Sequence, residues 1–115
     1  MMEGKRKLHI LWTNADVYTS HHMVMMYATN SMLKGWWEEV TVIVWGATAK
    51  YVAEDKDILE RLRLAEQAGV KFSACIACAV QLGVKDTLEG MGIEVIPWGA
   101  LLTELIENKR PLITI

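Results

Sequence analysis

Two cysteines are all that the 115 residues contain, too few for a disulfide framework, so the expected compartment is the reducing cytoplasm. Charge of one sign is equally scarce. Lys and Arg number 12 against 14 Asp and Glu, a formal −2. That balance lacks the clustered cations a phosphate backbone requires, so no nucleic-acid partner is expected. The one basic run, Lys5, Arg6 and Lys7, reads as a solvated segment ahead of the first strand. No apolar stretch approaches the roughly 18 residues that span a bilayer, which excludes a membrane partner of that kind. Leu8 to Trp12 is interrupted by His9 and followed by Thr13, Asn14 and Asp16, too short and too polar for a secretory segment.

Several chemical motifs are missing as well. The first apolar run ends in Thr13-Asn14-Ala15-Asp16 rather than in glycines, which argues against a dinucleotide fold. Neither a Ser/His/Asp set nor paired carboxylates occur in usable form. A structural zinc site wants four ligands, and there is no second cysteine pair. His21 and His22 are adjacent, so on a helix they point about 100° apart and suit one metal poorly. With Met23, Met25 and Met26 they suggest a soft-metal site for copper(I), but methionines at helical spacing ordinarily fill cores. No metal and no cofactor are therefore expected.

What the chain does have is an ordinary globular composition, 52% apolar and 23% charged, on a length that fits one domain over residues 1–115. Folding at this size buries roughly two-thirds of the surface the unfolded chain exposes, enough for a core without staples. No linker, low-complexity tract or internal repeat interrupts it; the echo of Trp45-Gly46-Ala47 in Trp98-Gly99-Ala100 does not extend to the surrounding residues.

Apolar periodicity alternates between the strand and helix types. Leu8 to Thr13 is a short apolar run, and Ser20 to Lys34 carries apolar residues at helical spacing until Gly35. Val40 to Trp45 is almost continuously apolar and β-branched, as in a strand covered on both faces. A helical pattern from Ile58 to Gly69 leads to a third strand, Val70 to Cys75, and a turn or short helix through Leu82. A helix from Lys85 to Met91, a strand Ile93 to Ile96, a helix Leu101 to Asn108 and a strand Leu112 to Ile115 complete the chain. Strands separated by helices pair in parallel through right-handed crossovers. The expected architecture is one open, mostly parallel sheet of about five strands with helices on both faces.

Such sheets bind and react at the carboxyl edge of the strands. That edge should carry Asn14, Asp16, Trp45, Gly46, Cys75, Cys78, Trp98 and Gly99. Asn14 and Asp16 fit either a polar pocket or a turn that caps the next helix. Trp45 and Trp98 fit either a wall of the edge or the core. Trp36 and Trp37 fall at the opposite edge and read as structural or interfacial.

The segment Phe72-Ser73-Ala74-Cys75-Ile76-Ala77-Cys78-Ala79 is the most informative. It puts Cys75 at a strand end and, if a helix follows, near that helix's N-terminus, where free N–H groups and the dipole favour a thiolate. Only the thiolate is a competent nucleophile. The pair is open to three readings: a redox dithiol, metal ligands, or two small buried hydrophobes, the last suiting Cys78 better than Cys75.

The stretch Gly69-Val70-Lys71-Phe72-Ser73-Ala74-Cys75-Ile76-Ala77-Cys78-Ala79-Val80-Gln81-Leu82-Gly83-Val84 resembles the cysteine region of the DsrE/DsrF-like family. Gly92-Ile93-Glu94-Val95-Ile96, Trp98-Gly99 and Leu102-Thr103-Glu104-Leu105 are similar to that family too. The resemblance implies a sulfur-relay protein that carries sulfane sulfur as a persulfide on Cys75 between donor and acceptor proteins and assembles as a homo-oligomer, trimer or hexamer; the alternatives are a non-catalytic small-ligand-binding or oligomeric assembly module of the same fold and a Cys75/Cys78 dithiol redox protein. It also implies a possible second role at Cys78, where some relatives carry a cysteine. TusD-like members have a basic pair where this chain has Gln81 and Leu82, a departure that removes a cationic docking or anion-stabilising element.

Overall fold

The computed structural model describes residues 6–115, and Lys5 of the basic run lies outside the described residues. Five parallel strands form one sheet: β1 Lys7–Trp12, β2 Glu39–Val44, β3 Lys71–Cys75, β4 Glu94–Ile96 and β5 Leu112–Thr114. Their spatial order is β4-β3-β2-β1-β5. The β-branched run of β2 occupies the centre, where both of its faces are covered and Val42, Ile43 and Val44 are buried. Each strand begins within two residues of where the sequence pattern places it.

The order fixes where the helices go. The chain steps in one direction through β1, β2, β3 and β4, then returns across the sheet to β5. Right-handed crossovers therefore put the first three connections on one face and the last on the other. The first connection is α1 Val17–Thr19, a π-helical stretch Ser20–Met25 and α2 Met26–Leu33, which follow one another without a break. The second is α3 Ala47–Glu54 and α4 Lys56–Gln67, the third α5 Ile76–Gln81 and α6 Lys85–Gly90, and the last α7 Gly99–Glu107.

Burial follows the same asymmetry. The large core joins Leu8, Ile10 and Trp12 of β1 with Val24, Met25, Val52, Ile58, Leu62 and Leu88 from the helices of the first face. The other face has only a small core of Ile43, Cys75 and Trp98. No residue of α7, the one helix above it, is fully buried.

Two features depart from the sequence pattern. The first helical segment begins at Val17 rather than Ser20, because Asp16 caps it: its carboxylate accepts the Thr19 N–H at 2.9 Å. The helix α3 was not anticipated at all. Its sequence ATAKYVAE buries only Thr48, Ala49 and Val52, too small an apolar stripe to register as helical periodicity.

Candidate functional site

Cys75 is the last residue of β3, paired in register with Ile96, and it immediately precedes α5. The strand-to-helix junction expected from the sequence is thus present. Cys75 is 4% exposed, held in the small core between Ile43 and Trp98. Trp98 is itself fixed: its indole Nε1–H donates to Ser73 Oγ at 2.7 Å, and that hydroxyl donates to Glu94 Oε2 at 2.6 Å. Ser73 stands two residues before Cys75 on the same strand face, so one hydrogen-bonded chain sets the lid over the thiol.

Cys78, one turn along α5, is half-buried and packs against the same cluster. The burial order is the reverse of the sequence expectation, in which Cys78 was the better candidate for a buried hydrophobe. The physical reason lies in distant residues: Trp98 covers Cys75, whereas the third residue of α5 faces an open edge. The two cysteines are neighbours in one cluster. Burial pushes the Cys78 thiol up from its ordinary 9.0, the Gly46 N–H donated to its sulfur opposes that shift, and the Cys75 thiol helps to raise it.

A cavity of about 410 Å³ opens onto Cys78, lined by Gly46, Ala47, Lys50, Gln81 and Leu82. Its far wall is the start of α3. The chain turns into that helix at Gly46, with φ +68° and ψ −126°, a conformation that side-chain-bearing residues rarely adopt. The turn is closed by Ala49 N–H on the Gly46 carbonyl at 3.0 Å. The Thr48 hydroxyl ties it to β1 through the Trp12 carbonyl at 2.7 Å. The Lys50 side chain, one turn further, makes no hydrogen bond or ion pair among the described residues, and it also borders a neighbouring cavity lined by Glu54 and Asp55. Its ammonium thus stands between the two cavities.

The structure brings some of the sequence-chosen residues together and leaves others apart. Gly46 lines the cavity, Trp45 and Trp98 pack against the cysteine cluster, and all lie at the carboxyl edge. Asn14 and Asp16 do not line it. Asn14 Oδ1 accepts the Asp16 N–H at 2.8 Å, and Asp16 caps α1, so the turn-and-cap reading of both is the one observed. The cap hydrogen bond from Thr19 lowers the Asp16 carboxyl below its ordinary value. Gly99 is exposed at the start of α7 and its carbonyl accepts the Thr103 hydroxyl at 2.9 Å. Sequence reasoning missed Lys50 and Ala47, because they belong to α3. Among the described residues no group of three or more His, Cys, Asp or Glu side chains is placed to hold a metal.

The match to the DsrE/DsrF-like family model covers residues 6–114. The chain belongs to the DsrE/DsrF-like family. That family is associated with sulfur relay. Among solved structures, the chain is similar to a conserved protein of unknown function from Bacteroides thetaiotaomicron. The two are 36% identical and superpose with a TM-score of 0.92, over 96% of this chain and 95% of the other. No curated protein matches the chain. Lys50 lines the same cavity as Gln81 and Leu82.

Proposed function

We propose that this protein is a cytoplasmic sulfur carrier that takes up sulfane sulfur, holds it as a persulfide on Cys75 and passes it to a partner thiol. The observation that carries the reading is the pair of neighbouring cysteines at the carboxyl edge, one sheltered and one lining a cavity, in a chain of a sulfur-relay family. A persulfide is readily lost to stray thiols, and a site 4% exposed under Trp98 protects it. Donor and acceptor are proteins or small thiols that reach the edge. No helix among the described residues is long and apolar enough to cross a membrane.

The thinly covered second face favours a homo-oligomer, trimer or hexamer. Leu101 and Ile106 of α7 are 37% and 59% exposed, and Leu11 and Thr41 of the sheet are half-exposed.

Cold cyanolysis tests the carrier reading. Protein incubated with a polysulfide and desalted should release close to one thiocyanate per chain, and the Cys75→Ser/Cys78→Ser double variant none. Equal release from both proteins, or none from either, would refute it. A second reading, a redox dithiol, draws on the same pair of cysteines. It requires Cys78→Ser to abolish function, whereas a carrier keeps its persulfide on Cys75.

A further inference from the structure

The geometry points to Cys78, not Cys75, as the thiol that first meets the sulfur donor, with Lys50 selecting a small anionic donor; this rests on the carrier reading. Four observations converge. Cys75 is 4% exposed beneath Trp98 and Ile43, so a donor reaches the half-buried Cys78 more readily. Cys78 lines the cavity at the carboxyl edge. The Gly46 N–H is aimed at the Cys78 sulfur, where it stabilises negative charge on a thiolate or persulfide. Lys50, in no ion pair among the described residues, stands on the wall of the same cavity; Glu54 and Asp55 share the neighbouring cavity with it, and neither lines this one.

The cavity, about 410 Å³, suits a small donor rather than a folded protein segment. Its lining combines one cation with the apolar surfaces of Ala47 and Leu82, which fits a polarisable sulfur anion such as an inorganic polysulfide or a low-molecular-weight persulfide.

Two steps follow, neither of which needs an outside oxidant. The Cys78 thiolate attacks a terminal sulfur of tetrasulfide, the S–S bond breaks, and trisulfide leaves with the bonding pair. The proton first held by the Cys78 thiol goes to the leaving trisulfide. The Cys75 sulfur then attacks the outer sulfur of the Cys78 persulfide, the proton of its thiol passes to Cys78, and the sulfane sulfur ends on Cys75. Cys78 is thereby returned as a thiol, and each transfer is a thiol–persulfide exchange.

Rapid-quench mass spectrometry with sodium tetrasulfide as the probe tests this. Sulfur should appear on wild-type protein and map to Cys75 at equilibrium. In Cys75→Ser it should appear at the wild-type rate and remain on Cys78. In Cys78→Ser, loading of Cys75 should slow by about tenfold or more, and Cys78→Ala should behave alike. Lys50→Gln should slow loading severalfold at low salt, with the difference vanishing at high salt. Loading of Cys78→Ser and Cys78→Ala at the wild-type rate would overturn the entry role while leaving the carrier reading intact. No loading of wild-type protein would overturn both.

Discussion

The hydrogen-bonded chain that seats Trp98 over Cys75 gives a prediction whose size follows from the geometry. Ser73→Ala removes the hydroxyl that accepts the Trp98 indole N–H at 2.7 Å. Trp98 is 6% exposed, so its N–H is left buried without a partner. An orphaned buried donor costs about 1–3 kcal/mol. The other partner, Glu94, is exposed and regains water, so its loss adds little. We expect a loss of about 2 kcal/mol, equivalent to a melting temperature lower by roughly 8 °C at this chain length. Urea denaturation measures it, with the slope unchanged and the midpoint lowered by about 1 M. Trp98→Phe removes the donor itself, so Ser73→Ala in that background should cost about 1 kcal/mol less than in wild type. A Ser73→Ala midpoint within error of wild type would refute the reasoning. So would two substitutions whose effects simply add.

Three further predictions come from other parts of the fold. Gly46→Ala meets no atom within 4 Å of the new Cβ, so its cost is conformational, about 1–3 kcal/mol from the positive φ, measured by the same denaturation. Burial, opposed by Glu39 and aided by Lys7, holds the His9 imidazole below its ordinary 6.5. The unfolded chain then binds the proton more readily than the folded one. Stability is complete above pH 6.5 and declines as pH falls through that value towards the lower folded pKa. His9→Gln should flatten that decline between pH 7.5 and 5, and an unchanged slope would exclude His9 as its source. Because burial also raises the Cys78 thiol, with Cys75 and Lys50 the titratable neighbours at the cavity, sulfur loading should accelerate with alkalinity, by up to about tenfold per pH unit. Stopped-flow loading between pH 6.5 and 8.5 measures this, and a flat profile would contradict it.

How much of this was legible in the sequence differs by element. The strands were legible because each is a short β-branched or aliphatic run in a parallel sheet, β2 most of all because it is also the most buried. Cys75 at a strand end followed from the same pattern. The helix α3 was hidden because its buried positions are Thr48, Ala49 and Val52, and Thr48 is buried by its hydrogen bond to Trp12 rather than by being apolar. With α3 went Lys50 and the far wall of the cavity. The relative burial of the two cysteines was illegible for another reason. It depends on Trp98, more than twenty residues away in sequence, being docked by Ser73 and Glu94 over one thiol and not the other. Asn14 and Asp16 carried an ambiguous signal, since the residues that cap a helix are also those that line polar pockets.

The central claim is that Cys75 carries sulfane sulfur. Its most direct test is intact-mass analysis of the native protein after exposure to a polysulfide, followed by digestion under non-reducing conditions to locate the modification. The account predicts a gain of one sulfur, about 32 Da, removed by a reductant and mapped to Cys75. An unchanged mass, while a control thiol is modified under the same conditions, would contradict it.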